Sequence, residues 1–343
     1  MRAASVDAAV ALSLGITGLL VLVLTQQVVH RVRRRANLGL RPAYELVVAE
    51  YLVDEGAPGP PRPKGRRARA VLRQVALAAL IELRGRERVR LTELLERTGI
   101  VEYTLDELGS RRCLTRRRAA EMLGEMRSVQ AKAALLAGLG DADRAVRLGC
   151  ARALAELGDE PAAQQVLAVA EAEVDFSPGA VSDVLLALAA RKPSLLAEAL
   201  STTTSIPLRR ILTAILGELR LAEHTPLLRR ALADEDDQVV ARTARGLGLI
   251  GDDQSVPALA ALLADGTRSD PVKAAAAAAL GWIGDAAAIG PLETALSSGG
   301  WAVKTAAAQA LALLGEEGAE ALGRVASGDR PALRAHALVA LGR

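Results

Sequence analysis

Aromatic side chains are nearly missing from this chain: one Phe, three Tyr and two Trp among 343 residues. Pockets for large flat ligands and stacking platforms for single-stranded nucleic acid both draw on aromatics. Tyr44, Tyr51, Tyr103, Phe176, Trp282 and Trp301 are too few to supply either, and none is interleaved with the basic clusters. Nucleic acid is thereby disfavoured as a partner. Cysteine is as scarce: Cys113 and Cys150 alone form neither a disulfide framework nor a zinc-binding pair, which agrees with a reducing compartment. His30, His224 and His336 have no metal-ligand spacing. No Walker loop, G-x-S-x-G or dinucleotide fingerprint occurs. The acids Glu235, Asp236 and Asp237 sit at a turn, where capping and solvation account for them. These absences argue against an enzyme and imply neither cofactor nor metal. Runs of β-branched or aromatic residues long enough for a strand are missing too.

What is there is repetition. The phrase "AALGWIGD" (278–285) has near-copies in "RALAELGD" at 152, "RGLGLIGD" at 245 and "QALALLGE" at 309. A marker leucine falls at Leu123, Leu154, Leu185, Leu216, Leu247, Leu280, Leu311 and Leu341, with spacings of 31, 31, 31, 31, 33, 31 and 30. A fixed period of this size signals a solenoid. Small apolar residues three and four positions before the marker join it on one helical face. The next position is glycine at Gly124, Gly217, Gly248, Gly281 and Gly342. A mid-helix glycine costs about 1 kcal/mol against alanine, so its recurrence predicts close backbone approach by a partner helix. Gly158, Gly251, Gly284 and Gly315 follow where a left-handed cap ends the helix. Asp159, Asp252, Asp285 and Glu316 then stand near the start of a second helix, and Pro161, Pro193, Pro226, Pro257 and Pro291 in or near its first turns. Each repeat reads as two helices.

The stretches "VRLGCARALAELGD" (146–159), "VKAAAAAALGWIGD" (272–285) and "VKTAAAQALALLGE" (303–316) resemble the HEAT repeat, in the short form named after phycobilisome lyases. The resemblance runs from about residue 110 to the end. The third repeat departs from it, with Pro178, Leu186 and Ala189 in place of the basic residue and two glycines. It implies an all-α fold, a right-handed α-solenoid of about eight HEAT-like two-helix repeats, used as a general binding scaffold. The enzymatic relative it brings to mind, a bilin lyase, is opposed by the scarcity of aromatics and by the N-terminus.

That N-terminus is of another kind. "AAVALSLGITGLLVLVL" (8–24) carries no charge. As a helix it would span roughly 26 Å at about 1.5 Å per residue, close to a hydrocarbon core of about 30 Å, and Val28 and Val29 extend it. A cleaved signal peptide is the competing reading, but it needs a small-x-small site. The run passes instead through Gln26 and Gln27 into "RVRRR" (31–35). We therefore expect one transmembrane helix within residues 1–30. Arg31, Arg33, Arg34, Arg35 and Arg41 follow the run, whereas Arg2 alone precedes it beside Asp7. The positive-inside rule then places the N-terminus outside and the remainder in the cytoplasm, as a single-pass protein of the cell membrane.

Residues 31–65 read as a basic stem, with a helix over 43–55 and the semi-stiff spacer "GAPGPPRPKG" (56–65). Arg31, Arg33, Arg34 and Arg35 are candidates for contact with anionic lipid headgroups, and the following Arg62, Lys64, Arg66, Arg67, Arg69 and Arg73 either solvate the stem or join them. Residues 66–109 contain two or three helices that do not fit the phrase, "RRARAVLRQVALAALIEL", "RVRLTELLERTG" and "VEYTLDELGS", and suit a terminal cap. The repeats occupy 110–343.

Two features of the repeats are candidate sites. Seven positions before the marker stand Arg116, Arg147, Arg209, Lys273, Lys304 and Arg334, interrupted by Pro178 and Val240. This basic ladder either pairs with acids at the turns, among them Asp141, Asp143, Asp234, Asp236, Asp270 and Asp329, or contacts a ligand. Two positions after the marker, Glu125, Glu156 and Glu218 give way to Leu249, Trp282 and Leu313. Such a stripe is either an interaction surface or a set of side chains buried by altered tilt. The expected function is a membrane-anchored cytoplasmic scaffold for a protein partner. The alternative is an accessory subunit of a membrane enzyme such as a glycosyltransferase, which anchored bacterial proteins of this plan resemble.

Overall fold

The computed structural model describes residues 39–54, 57–158, 160–327, 331–340 and 342. The apolar run 8–24, the arginines Arg31, Arg33, Arg34 and Arg35, the last marker Leu341 and the acids Asp159 and Asp329 lie outside the described residues. Among the described residues every regular element is a helix, and none is long and apolar enough to cross a membrane. The chain divides into two compact units, one ending at Ala134 and the other starting at Leu135.

The first unit holds α1 (39–53), α2 (Gly65–Glu82), α3 (Gly85–Arg97), α4 (Ile100–Leu108) and α5 (Cys113–Met126). The three helices expected over 66–109 are α2, α3 and α4. Their apolar stripes close over Leu72, Leu80, Leu91, Leu94, Leu95 and Ile100, all fully buried, and Leu123 and Met126 of α5 are buried as completely. The proline-rich stretch is not the free spacer its composition suggests. Pro60 and Pro63 are buried, and a Cβ on Gly59 would lie 3.1 Å from Leu94 Cδ1 and 3.4 Å from the Tyr51 ring. Proline has no backbone N–H to leave unpaired and arrives with φ fixed, so an extended strap can cover apolar surface without a sheet partner.

Several arginines of this unit close helix ends. The last carbonyls of a helix have no partner within it. Arg90 donates to the carbonyls of Tyr51 (2.6 Å), Leu52 (3.2 Å) and Asp54 (3.1 Å), with its guanidinium 5.0 Å from the Tyr51 ring centroid. Arg88 donates to the carbonyls of Leu80 and Glu125, joining the ends of α2 and α5. Arg62 bonds the Arg97 carbonyl at 3.0 Å, and Arg73 pairs with Glu107 at 2.5 Å. Arg62 and Arg73 are thus corrections to the picture of a solvated stem, whereas Lys64 and Arg66 stay exposed.

The division between the units falls within α6 (Lys132–Gly138). Beyond it, first helices alternate with second helices. The first helices are α7 (Arg144–Leu157), α9 (Pro178–Ala189), α11 (Ile206–Leu219), α13 (Asp237–Ile250), α15 (Asp270–Ile283), α17 (Trp301–Leu313) and α19 (Pro331–Ala340). The second helices are α8 (Glu160–Glu173), α10 (Pro193–Thr202), α12 (Thr225–Ala231), α14 (Val256–Ala264), α16 (Ile289–Ser298) and α18 (Gly315–Ala326). The marker residues Leu154, Leu185, Leu216, Leu247, Leu280 and Leu311 are all buried in this unit's core.

Gly217, Gly248 and Gly281 do what their cost suggested, and the helix they admit is the first helix of the next repeat, whereas Gly342 is left-handed (φ 69°) with open space around it. A Cβ on Gly217 would lie 2.6 Å from the Cα of Gly246, one on Gly248 2.6 Å from the Cα of Ala279, and one on Gly281 2.6 Å from the Cα of Ala310. In each case the residue after one marker meets the residue before the next. The left-handed caps are present at Gly158 (φ 74°), Gly251 (φ 80°) and Gly284 (φ 82°), and Gly315 (φ 70°) opens the next helix in the same conformation. Arg127 (φ 49°) and Arg220 (φ 52°) occupy this slot in the first and fourth repeats, where the sequence offered no glycine to read. Repeat 3 departs here as well: Leu186 is exposed, and α9 ends in a right-handed Ala190.

Candidate partner-binding face

Positions nine, five and two before the marker and two after it fall on one face of a helix at 3.6 residues per turn. On α13 these are Gln238, Arg242, Arg245 and Leu249; on α15, Pro271, Ala275, Ala278 and Trp282; on α17, Ala302, Ala306, Gln309 and Leu313. All are exposed or half-buried. Leu249 is half-buried, Trp282 is 42% exposed and Leu313 58%. The stripe is therefore not withdrawn into the core by helix tilt. Gly248 also shapes it, since a Cβ there would come 3.0 Å from Cε3 of Trp282. The Arg245 guanidinium lies 5.7 Å from the Trp282 ring centroid, a cation–π distance. The ring lies over the neighbouring helix and keeps one side open.

Trp301 belongs to the same region and was not legible as part of it. Ten positions before the marker, α7, α13 and α15 carry charges that tie one repeat to the next, while α11 has Ile206. Arg144 bonds Glu173 at 2.6 Å and covers Phe176 at 4.2 Å, Asp237 accepts from Arg268 at 3.0 Å, and Asp270 lies against Gly300. On α17 this slot is Trp301, 76% exposed. Its ring meets His336 of α19 at 6.1 Å, and His336 Nδ1 is 3.3 Å from Thr305 Oγ1. Between α17 and α19 opens a cleft of about 410 Å³, lined by Trp301, Thr305, Gln309, His336 and the 77%-exposed Val339. The signal in the sequence was the replacement of a charged tie by tryptophan.

The basic ladder divides. Arg147 pairs with the buried Glu173 and donates to the Asp141 carbonyl at 2.7 Å. Arg209 pairs with Asp234 at 2.8 Å and Glu235 at 3.3 Å, and these acids hold its guanidinium above the ordinary arginine range. Arg116 donates to the Ser110 carbonyl at 3.0 Å. These three close turns. Lys273 and Lys304 are half-buried and Arg334 is exposed, and none of the three has an ion pair among the described residues. The acids of the 234–237 turn are engaged as well. Asp236 accepts from Arg210 at 2.6 Å and from the Val239 N–H at 3.0 Å, which together bring its carboxyl down to about 2.

Cys150 is buried, and burial pushes its thiol up to about 12, with Asp141 adding to the effect. A Cβ on Gly138 would collide with its sulfur, so the residue serves close packing. Cys113 is exposed at the start of α5. Among the described residues no group of three or more His, Cys, Asp or Glu is arranged to hold a metal ion.

The family model for HEAT repeats matches residues 101–177, 193–271 and 267–342, and the chain belongs to this family. The match is to HEAT repeats as such and carries no lyase subtype. It begins inside α4, ahead of the first phrase. No curated protein sequence matches the chain significantly. Among solved structures, the karyopherin Kap121p bound to the SUMO protease Ulp1p is similar at 12% identity and a TM-score of 0.52, over 88% of this chain and 37% of that one. Kap95p, in a complex with RanGDP, is similar at 14% identity and a TM-score of 0.41, over 81% and 50% of the two chains. Human deoxyhypusine hydroxylase is similar at 19% identity and a TM-score of 0.33, over 81% and 98%. At such identities the likeness is one of fold.

Proposed function

We propose that this protein is a membrane-anchored scaffold that holds a protein partner on the outward face of α13, α15 and α17, in the cytoplasm. The observation that carries the reading is the exposure of Trp282 and Leu313 in a slot that is glutamate in repeats 1, 2 and 4. Large apolar side chains exposed in register on consecutive repeats make contiguous surface, and tryptophan is the type most favoured at interface hot spots. The anchor rests on the uncharged run 8–24 and its arginine flank. Anionic headgroups beside Arg31, Arg33, Arg34 and Arg35 would hold the stem to the bilayer.

Trp282→Glu tests the face. It restores what other repeats carry, so the fold should lose less than about 1 kcal/mol, while capture of the partner in a crosslinking pull-down from membranes falls sharply. A lowered Tm with proportionate loss of capture would mean that the ring is a structural element. A fully stable variant that captures all that the wild type does would end the proposal. For topology, alkaline phosphatase fused after Arg343 should be inactive, because it needs export to fold. Activity there would reverse the orientation, and changing Arg31, Arg33, Arg34 and Arg35 together to Ser should scramble it.

A further inference from the structure

Charge divides the unit that begins at Leu135. Residues 135–343 hold 26 of the chain's 40 Asp and Glu but only 19 of its 43 Lys and Arg. On the outward slots of α7, α9 and α11, acids stand where this balance predicts: Glu156, Asp183 and Glu218. On the described slots of α13, α15, α17 and α19 there is no acid, and the ionisable residues are Arg242, Arg245 and His336. Nearby acids are turned to other work. Asp237 is held by Arg268 and by the Ser269 N–H, Asp252 by Arg229 at 2.9 Å, and Asp285 by the Ala287 N–H at 2.8 Å. Arg242 and Arg245 are exposed and have no ion pair among the described residues. The exposed acids of this stretch stand off these slots, at Glu235 and Asp270 by the starts of α13 and α15 and at Asp253, Glu316, Glu317 and Glu320 beyond the stripe.

From this we infer that the face takes an acidic amphipathic helix of the partner, with its apolar residues on Leu249, Trp282 and Leu313 and its carboxylates over Arg242 and Arg245. Spacing supports a helix. Neighbouring packed helices lie about 8 to 10 Å apart, so the three anchors recur at about that interval. Seven residues of a partner helix rise about 10 Å, which brings leucines seven apart onto successive anchors. The two arginines reward carboxylates beside that stripe and penalise lysines, which gives the face its selectivity. The inference rests on the scaffold reading above and narrows it to one chemistry.

The test uses the full chain and two fluorescein-labelled helical peptides with leucines at seven-residue spacing, one flanked by glutamate and its twin by lysine. Both tryptophans of the chain, Trp282 and Trp301, stand on or beside this face, so intrinsic fluorescence reports binding alongside anisotropy. The glutamate peptide should bind at least about tenfold more tightly than its twin, with the difference shrinking as salt rises. Arg242→Glu combined with Arg245→Glu should reverse the order, and Trp282→Glu should abolish both at an unchanged Tm. Equal binding of the twins, preference for the lysine peptide, binding of neither, or an order unchanged in the double variant would overturn the inference. So would vesicles of phosphatidylserine in phosphatidylcholine that bind the wild type but not Trp282→Glu, or self-association of the chain that Trp282→Glu removes. A membrane partner crosslinked through position 282 by a basic or neutral segment would end this inference and leave the scaffold standing. A chain with no partner dependent on Trp282 would end both.

Discussion

At the scale of single residues, helix propensity and packing make opposite demands on glycine. Gly281 and Gly323 both lie inside helices, where replacement by alanine gains about 1 kcal/mol on propensity alone. A Cβ on Gly323 meets nothing within 4 Å, so Gly323→Ala should stabilise the protein by up to that amount. A Cβ on Gly281 would lie 2.6 Å from the Ala310 Cα and 2.7 Å from its Cβ. Main chain cannot rotate away, and overpacking of this kind costs about 1 to 3 kcal/mol. Gly281→Ala should therefore destabilise. Thermal melting of the two variants decides it, and equal signs would refute the backbone approach of α15 and α17. The repeated phrase made Gly281 legible but not Arg127 and Arg220. A left-handed arginine has no sequence signature, because side-chain-bearing residues seldom adopt that conformation and arginine is not among the types enriched in it.

At the scale of elements, the sequence located helices well and misjudged how their ends are satisfied. Periodicity placed α2, α3 and α4 within a few residues. That Arg88 and Arg90 would close carbonyls 37 to 39 positions away depended on which helix ends meet, information no local window contains. Asp236 shows a cap at work. Its carboxylate accepts the Val239 N–H at the start of α13 and also Arg210, so its folded pKa falls from 3.8 to about 2. A depressed folded pKa stabilises the native state above the unfolded pKa, and that contribution is lost as pH falls through the folded value. The wild type should lose stability relative to Asp236→Asn between about pH 5 and pH 2, the interval spanning both values. Urea midpoints across that window check it. A wild type–variant difference that stays constant down to pH 2 would show the ion pair to be idle.

At the scale of the whole molecule, the repeat period and the stripe were legible because both are periodic, and repetition makes an exception visible. The acid-free face was not, because it appears only when slots from four helices are laid side by side and their neighbours' ion pairs are known. The same comparison shows where the array is weakest. Repeat arrays draw their stability from each unit and its junctions with nearest neighbours. In α11, α13, α15 and α17 the junctions are backbone-close, through Gly217, Gly248 and Gly281. Repeat 3 has Leu186 in the glycine slot, 45% exposed, and α9 meets α11 more sparsely than α11 meets α13. A side chain in that slot holds the main chains apart, so fewer atoms approach to van der Waals distance on either side. Local opening should therefore be cheapest at this joint. In native-state hydrogen exchange, amides of α9 and α10 should exchange at least about tenfold faster than those of α13 and α15, a difference of about 1.4 kcal/mol in opening free energy. Protection as high in α9 as in α15 would show that leucine packing at this joint is worth as much as the close approach that glycine allows elsewhere.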